Sequence, residues 1–218
     1  MEAENRNLLI EGAKTFGIHL DGKVIEPFDL YLKELLKWNQ KINLTAIRSE
    51  RGIVLKHFLD SLSVHPYLPK HSSILDIGSG AGFPGIPLKI IQPTLEMTLI
   101  DSVRKKVDFQ RHIIRMLGLK RTEAIHGRVQ DKGILQSLGG RFDIILSRAF
   151  SDLRTFLVLS LPFLKGKGTV IAMRGKVDNN EMNPFTETEE SPYRFQKNIF
   201  LNLPSSSFER TILLFEKI

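Results

Sequence analysis

From Glu26 to Ile42 the chain reads EPFDLYLKELLKWNQKI, with apolar residues at Phe28, Tyr31, Leu32, Leu35, Leu36 and Ile42. Steps of three and four place these on one face of a helix and leave the charged residues on the other. Pro27 suits the first turn of that helix, where its missing N–H would have no intrahelical partner anyway. Trp38, Asn39 and Asn43 lie near its end, where the apolar face gives way to a polar loop. A second, short helix is expected over Arg51–Val64, and Pro66 and Pro69 then mark a boundary. Residues 1–70 therefore read as a helical extension.

From Ser72 the texture changes. SILDIG, EMTLIDS (Glu96–Ser102), AIHGRV, FDIILSRAF and GTVIAMRG are short, nearly continuous apolar runs. Helical stretches such as Arg104–Leu117 and Leu153–Leu164 lie between them. Alternating strands and helices imply parallel strands joined by right-handed crossovers. Strands in such a sheet are buried on both faces, which explains the unbroken apolar runs. RFQKNIFLNL and ERTILLFEKI, separated by NLPSSSF, read as a closing hairpin with the last strand antiparallel. The expected fold is α/β and Rossmann-like: a mostly parallel seven-stranded sheet over residues 71–218, one compact unit, with the helical extension in front. Asp178–Ser191 is acidic and loop-like.

Composition narrows the class. The chain has 218 residues, 42% of them hydrophobic and 25% charged, as in an ordinary soluble domain. Its apolar runs fall short of the roughly 18 residues that a membrane span needs. The start, MEAENRNLLIEG, is acidic and polar, unlike a secretory signal. Cysteine is absent, which excludes disulfides, thiolate-ligated zinc and a cysteine nucleophile, and points to the cytoplasm. The net charge of +7 is modest, but its placement is uneven. Nine Lys/Arg face four acids over Asp101–Lys132, and seven face two over Arg141–Lys176, whereas Val177–Pro192 holds five acids and no base. The surplus fits a polyanion-binding surface around the core, with ordinary solvated charge as the alternative.

The densest chemical signal is ILDIGSGAGFPGIPL, Ile74–Leu88, where four glycines and two prolines follow a buried strand. Two patterns overlap there. Gly78–Gly82 is GxGxG, and Gly80–Gly85 is GxGxxG, the dinucleotide fingerprint. Both expect an acid at the tip of the next strand for ribose hydroxyls, and Asp101 fills that place. The prolines discriminate. A pyrophosphate site needs free N–H groups at the helix start, and Pro84 and Pro87 each remove one. S-adenosyl-L-methionine carries no phosphate and is the favoured ligand. Gly80 allows close backbone approach. Asp76 is a candidate to support the ammonium end of that ligand, or equally a residue that pins the loop through hydrogen bonds.

Absences narrow the methyl acceptor. Methylation at pyrimidine C5 usually needs a cysteine nucleophile to activate the ring. Methylation of exocyclic amines is usually marked by an Asn/Asp-Pro-Pro-Tyr/Phe turn, where this chain has Ser147-Arg-Ala-Phe. Guanine N7 is already a nucleophile at neutral pH, so alignment alone can carry the reaction. No catalytic base stands out, and none is assigned. His57 and His126 read as structural or RNA-facing. Arg148 sits where a site residue is expected, after a central strand, and can anchor cofactor or substrate. Lys105, Lys106, Arg111 and Arg115 are candidates for phosphate contact.

DIGSGAGFPGIPL, SRAF and WNQKINLTAI…HFLDSL together resemble the ribosomal RNA small-subunit methyltransferase G (GidB) family, over roughly residues 30–175. The resemblance implies a class I methyltransferase fold with an N-terminal helical extension. It also implies N7 methylation of one guanine in a functional loop of small-subunit rRNA, free or in a ribosomal particle. By motif, Gly78 and Phe83 would line the methionine and ribose side of S-adenosyl-L-methionine. Val129 and Gln130 would flank the adenine, and Arg148 would complete the site. The family more often has Glu where Gln130 stands, a change that matters only if adenine is read through that side chain. Asp101 as ribose ligand follows the general class I pattern. No metal and no membrane are expected, and nothing demands a dimer. The alternatives are an NAD-type oxidoreductase and a non-catalytic RNA-binding protein that retains a methyltransferase shell.

Overall fold

Seven strands form one sheet in the order β3-β2-β1-β4-β5-β7-β6. They are β1 (Ser73–Ile77), β2 (Glu96–Asp101), β3 (Thr122–His126), β4 (Phe142–Ser147), β5 (Leu164–Arg174), β6 (Tyr193–Asn202) and β7 (Glu209–Lys217). The computed structural model describes residues 1–148, 150, 152–175 and 191–218. All but the last residue of the acidic Asp178–Ser191 segment, and two residues of the loop after β4, lie outside these. β1 through β5 pair in parallel. β7 runs antiparallel to β5 and to β6, so the closing hairpin reverses the last strand as expected. Every residue of β1 is buried, as two-sided coverage requires.

The helices are α1 (Ala3–Lys14), α2 (Gly22–Asn39), α3 (Glu50–Ile53), α4 (Asp60–Leu62), α5 (Gly85–Ile91), α6 (Arg104–Met116), α7 (Lys132–Leu138) and α8 (Leu153–Ser160). A π-helical turn, Val54–Leu59, joins α3 to α4, so the short helix expected over Arg51–Val64 is one continuous helical stretch. α2 starts five residues before Pro27, which was expected in its first turn. The Asp21 carboxylate caps the helix by accepting from the N–H groups of Lys23 and Val24, at 2.9 and 3.0 Å. Pro27 lies in the second turn instead.

One apolar cluster runs from Leu9, Phe28 and Phe58 in the N-terminal helices to Ile74, Leu99 and Ile212 in the sheet. A second covers the other face, where Phe156 and Leu157 of α8 pack on Leu75, Ile145 and Val170. Residues 1–70 therefore cover one face of the sheet. Strand order reverses between β1 and β4, and crevices at such a switch point, outside the carboxyl ends of the strands, are where α/β sheets bind ligands.

Candidate functional site

The turn after β1 folds back on β2. The N–H groups of Gly78 and Ser79 both donate to the Ile100 carbonyl, at 2.9 and 3.2 Å. Gly78, Gly80 and Gly82 have φ of 71°, 60° and 97°, in the left-handed region that favours glycine. A Cβ on Gly80 would meet nothing closer than the Gly78 carbonyl at 4.0 Å, so the turn is open on that side. A Cβ on Gly85 would lie 2.4 Å from Leu99 and 2.9 Å from the Asp76 carboxylate. Gly80 thus leaves the backbone accessible, whereas Gly85 lets α5 pack onto the sheet.

Four side chains from four elements hold the turn. Asp101, at the end of β2, accepts from the Gly80 N–H at 2.9 Å and from the Val103 N–H at 2.8 Å. Gln110 of α6 donates to the Ser79 hydroxyl and the Gly80 carbonyl, at 2.8 and 2.7 Å. Tyr31 of α2 donates its hydroxyl to the Ala81 carbonyl. Burial raises the Tyr31 pKa well above its ordinary value, so that hydroxyl stays protonated. Asp76, fully buried in β1, accepts from the Gly85 N–H at 2.9 Å through one oxygen, while its other oxygen has no partner. Burial pushes the Asp76 carboxyl up to about 7, against the opposing pull of the Gly85 N–H and the Arg148 charge. Sequence reasoning missed Gln110 and Tyr31, which carry no local signal because both lie on ordinary helix faces.

A cavity of about 190 Å³ opens where the strand tips converge. Ile77 and Gly78 close β1, Ile100 and Asp101 close β2, and Gly127–Gln130 follow β3. Phe150, in the SRAF turn after β4, completes the wall. Of the expected site residues, Gly78, Asp101, Val129 and Gln130 meet around this cavity, and Gly80 is bonded to Asp101 on its rim. Apolar walls and one carboxylate suit a nucleoside: a base would fit between the walls, and Asp101 has lone pairs left that could accept from hydroxyls.

Phe83 and Arg148 go elsewhere. The Phe83 ring is 3% exposed and stacks between Tyr31 and His57, at centroid distances of 5.2 and 4.5 Å. It does not line the cavity; its packing supports the turn from beneath. The Arg148 guanidinium donates to the Lys56 carbonyl at 2.9 Å, to Asp60 at 3.3 Å and to His57 Nδ1 at 3.0 Å. Asp76 lies under the turn, and its N–H partner belongs to α5. Burial and the Arg148 charge push His57 down to about 3, so it stays neutral and accepts at Nδ1. Its Nε2 then donates to the Thr45 hydroxyl at 2.8 Å, as a structural histidine. His126 lies near the Ser102 carbonyl, at 3.1 Å. Among the described residues, no cluster of acidic and histidine side chains could hold a metal ion.

The family model for rRNA small subunit methyltransferase G matches residues 24–208. A ribosomal RNA small subunit methyltransferase G from Geotalea uraniireducens is 41% identical over 219 aligned positions, covering 100% of this chain and 99% of the relative. One from Geobacter metallireducens is 45% identical, covering 83% of this chain and 81% of its own. Among solved structures, M. jannaschii TYW2 in complex with AdoMet superposes with a TM-score of 0.60 at 14% identity, covering 82% of this chain and 80% of its own. A SAM dependent methyltransferase from Aquifex aeolicus gives 0.55 at 16% identity, covering 76% and 93%. The last two establish the fold alone. With the model match spanning most of the chain and relatives matched nearly end to end, the chain belongs to the rRNA small subunit methyltransferase G family.

Proposed function

We propose that this protein transfers a methyl group from S-adenosyl-L-methionine to N7 of a guanine in small-subunit rRNA. The observation that carries the choice of cofactor is where the N–H groups at the start of α5 point. The Gly85 N–H donates inward to Asp76, that of Ile86 to the Gly82 carbonyl at 2.8 Å, and that of Leu88 to the Pro84 carbonyl at 3.3 Å. Pro84 and Pro87 have none. A pyrophosphate would find no free donor row at this helix start, so the dinucleotide reading loses its physical basis. The nucleoside cavity suits either ligand; the committed N–H groups favour the one without phosphate.

In this reading Val129, Ile77 and Phe150 hold the adenine, and Asp101 accepts from the ribose. The Gly78–Gly80 backbone meets the methionine portion, with Asp76 beneath it. Gln130 reaches the adenine edge. Phe83 and Arg148 act from behind the turn. S-adenosyl-L-methionine supplies a methyl group activated by a cationic sulfonium. Guanine N7 attacks with its own lone pair, so no residue has to remove a proton. The described surroundings agree: His57 is neutral and already bonded on both nitrogens. The chain contributes alignment, which is worth roughly 7–11 kcal/mol of barrier in the best intramolecular cases.

The family's name and the surplus of Lys/Arg over Asp101–Lys132 and Arg141–Lys176 support an rRNA substrate. We also infer a cytoplasmic monomer; among the described residues no helix is long and apolar enough to cross a membrane. The test is transfer of tritiated methyl to small-subunit RNA from cells lacking the activity, offered both naked and as assembled subunit, with the modified base then mapped. Label on guanine N7 is expected. Thermal stabilisation by NAD and not by S-adenosyl-L-methionine or its homocysteine product would reverse the cofactor choice. Failure of single-turnover transfer despite tight RNA binding would leave a binding protein.

A further inference from the structure

Gln110 lies on α6 between Val107 and Ile113, and like both of them it is 0% exposed. An apolar side chain is the usual occupant of such a place, because a buried amide costs stability unless each of its polar atoms is bonded. Gln110 does not meet that condition. Its Nε2 donates to the Ser79 hydroxyl and the Gly80 carbonyl, but its Oε1 has no partner. The two amide atoms cannot be exchanged, since a carbonyl only accepts and must face the nitrogen. An amide that gives both donors to one turn and leaves its acceptor orphaned is poorly suited to stabilising the fold. It is well suited to fixing the shape of that turn.

Gly80 is where the grip matters. Its carbonyl is held by Gln110 and its N–H by the Asp101 carboxylate, so α6 and the tip of β2 hold one residue from two sides. The Ser79 hydroxyl extends the same chain of bonds, accepting from Gln110 and donating to the Ile100 carbonyl at 3.4 Å. Ile100, Asp101 and Gly78 are walls of the nucleoside cavity. Gly80 has positive φ and open space where a Cβ would stand, so no side chain of its own restrains it. Without Gln110 the Gly80 carbonyl is no longer held, and the N–H that orients Asp101 loses its fixed place. A site ordered before its ligand arrives binds more tightly than one that the ligand must order.

We propose that Gln110 is a positioning residue for the cofactor: acting through Gly80 and Asp101, it sets the affinity of the site without touching the ligand. Gln110 stands outside the glycine motif, on a different element from it. The proposal rests on the reading of the cavity as the S-adenosyl-L-methionine site and goes further, by naming a determinant of affinity behind its wall.

The test uses the full chain with Gln110→Leu and Gln110→Met, two apolar side chains of similar size. Calorimetric affinity for S-adenosylhomocysteine should fall about tenfold or more, and the Michaelis constant for S-adenosyl-L-methionine should rise in step. The kcat at saturating cofactor and the Michaelis constant for small-subunit RNA should stay within about twofold of wild type. The thermal midpoint of the ligand-free variants should equal or exceed that of wild type, because the orphaned acceptor is gone. Combined with Asp101→Ala, the fall in affinity should be smaller than the product of the two single falls, since both substitutions act on Gly80. Affinity within about twofold of wild type in both variants would overturn the proposal and leave the methyltransferase reading untouched. So would a loss of affinity that comes only with a lower midpoint and a lower kcat, which is what a merely structural role gives. If wild type binds neither S-adenosyl-L-methionine nor its homocysteine product, the cofactor reading fails and the proposal with it.

Discussion

At the scale of single residues, the site depends on two carboxylates in opposite circumstances. Asp101 is 7% exposed and bonded to two backbone N–H groups, yet keeps lone pairs toward the cavity. Asp101→Ala removes the proposed ribose acceptor and one support of the glycine turn together. Charge-assisted hydrogen bonds are worth about 1.5–3 kcal/mol, so S-adenosyl-L-methionine affinity should fall roughly tenfold to a hundredfold by calorimetry; a change under about twofold would move the ribose contact elsewhere. Asp76 is buried with one oxygen unpartnered, and its carboxyl is pushed from 3.8 up to about 7. The sign is the reverse of the usual aspartate. Below the unfolded value both states are protonated, and its contribution is most favourable. As pH rises towards about 7, the unfolded chain releases the proton while the folded chain keeps it, so this contribution is lost. Asp76→Asn does not titrate and preserves an acceptor for the Gly85 N–H. Its stability relative to wild type should therefore be better at about pH 8 than at about pH 5 in denaturant melts. Equal differences at both pH values would mean that Asp76 ionises as an exposed carboxylate does.

At the scale of elements, α6 has two faces with separate tasks. Gln110 and Phe109 point inward, to the glycine turn and to Tyr31 and Trp38. Lys105 is exposed, Lys106 half-buried, and Arg111 bonds the Ala124 carbonyl at 3.0 Å. Reversing Lys105 and Lys106 to Glu should raise the Michaelis constant for RNA and flatten its salt dependence by about 0.7–0.9 per lost contact. Cofactor affinity should hardly change, because the turn is held from the opposite face. Coincident salt slopes for variant and wild type would mark these lysines as solvated charge. The hydrogen bonds from α2 and α6 to the turn also explain why so glycine-rich a segment holds one shape: its flexibility is used to reach positive φ, and Tyr31, Gln110 and Asp101 then fix it.

At the scale of the whole molecule, the N-terminal helices and the sheet share one core. Phe28, Tyr31 and Phe58 belong to the same apolar cluster as Ile74, Leu99 and Ile212. A chain starting at residue 71 would expose that face, and it should show no cooperative thermal transition. A sharp transition would mean that the sheet unit folds alone. Asp60 is the polar counterpart of this contact, since it ties α4 to the loop after β4 and to β7. Its side chain is 4% exposed and its two arginine partners are 23% and 20% exposed. Asp60→Ala leaves two guanidinium groups without their carboxylate, and should cost about 3 kcal/mol in chemical denaturation. A cost below about 1 kcal/mol would place that pair with ordinary surface ion pairs.

Much of this was legible in the sequence. SILDI, TLID and FDIIL read as strands because burial on both faces leaves continuous apolar runs. The glycine turn, and Asp101 at the tip of the next strand, were legible because backbone geometry restricts which residues fit there. Both are local: a period or a turn is encoded within a few neighbouring residues. What only the tertiary structure decided was where side chains went once those elements packed. Phe83 reads as a site residue by its place in the motif, yet its ring turns inward because Tyr31 and His57 offer aromatic faces to stack on. Arg148 reads the same way, yet it crosses to a carboxylate 88 residues away. Arg210 reaches that carboxylate across 150 residues. No pattern along the chain encodes such meetings, because they depend on which helix covers which face of the sheet.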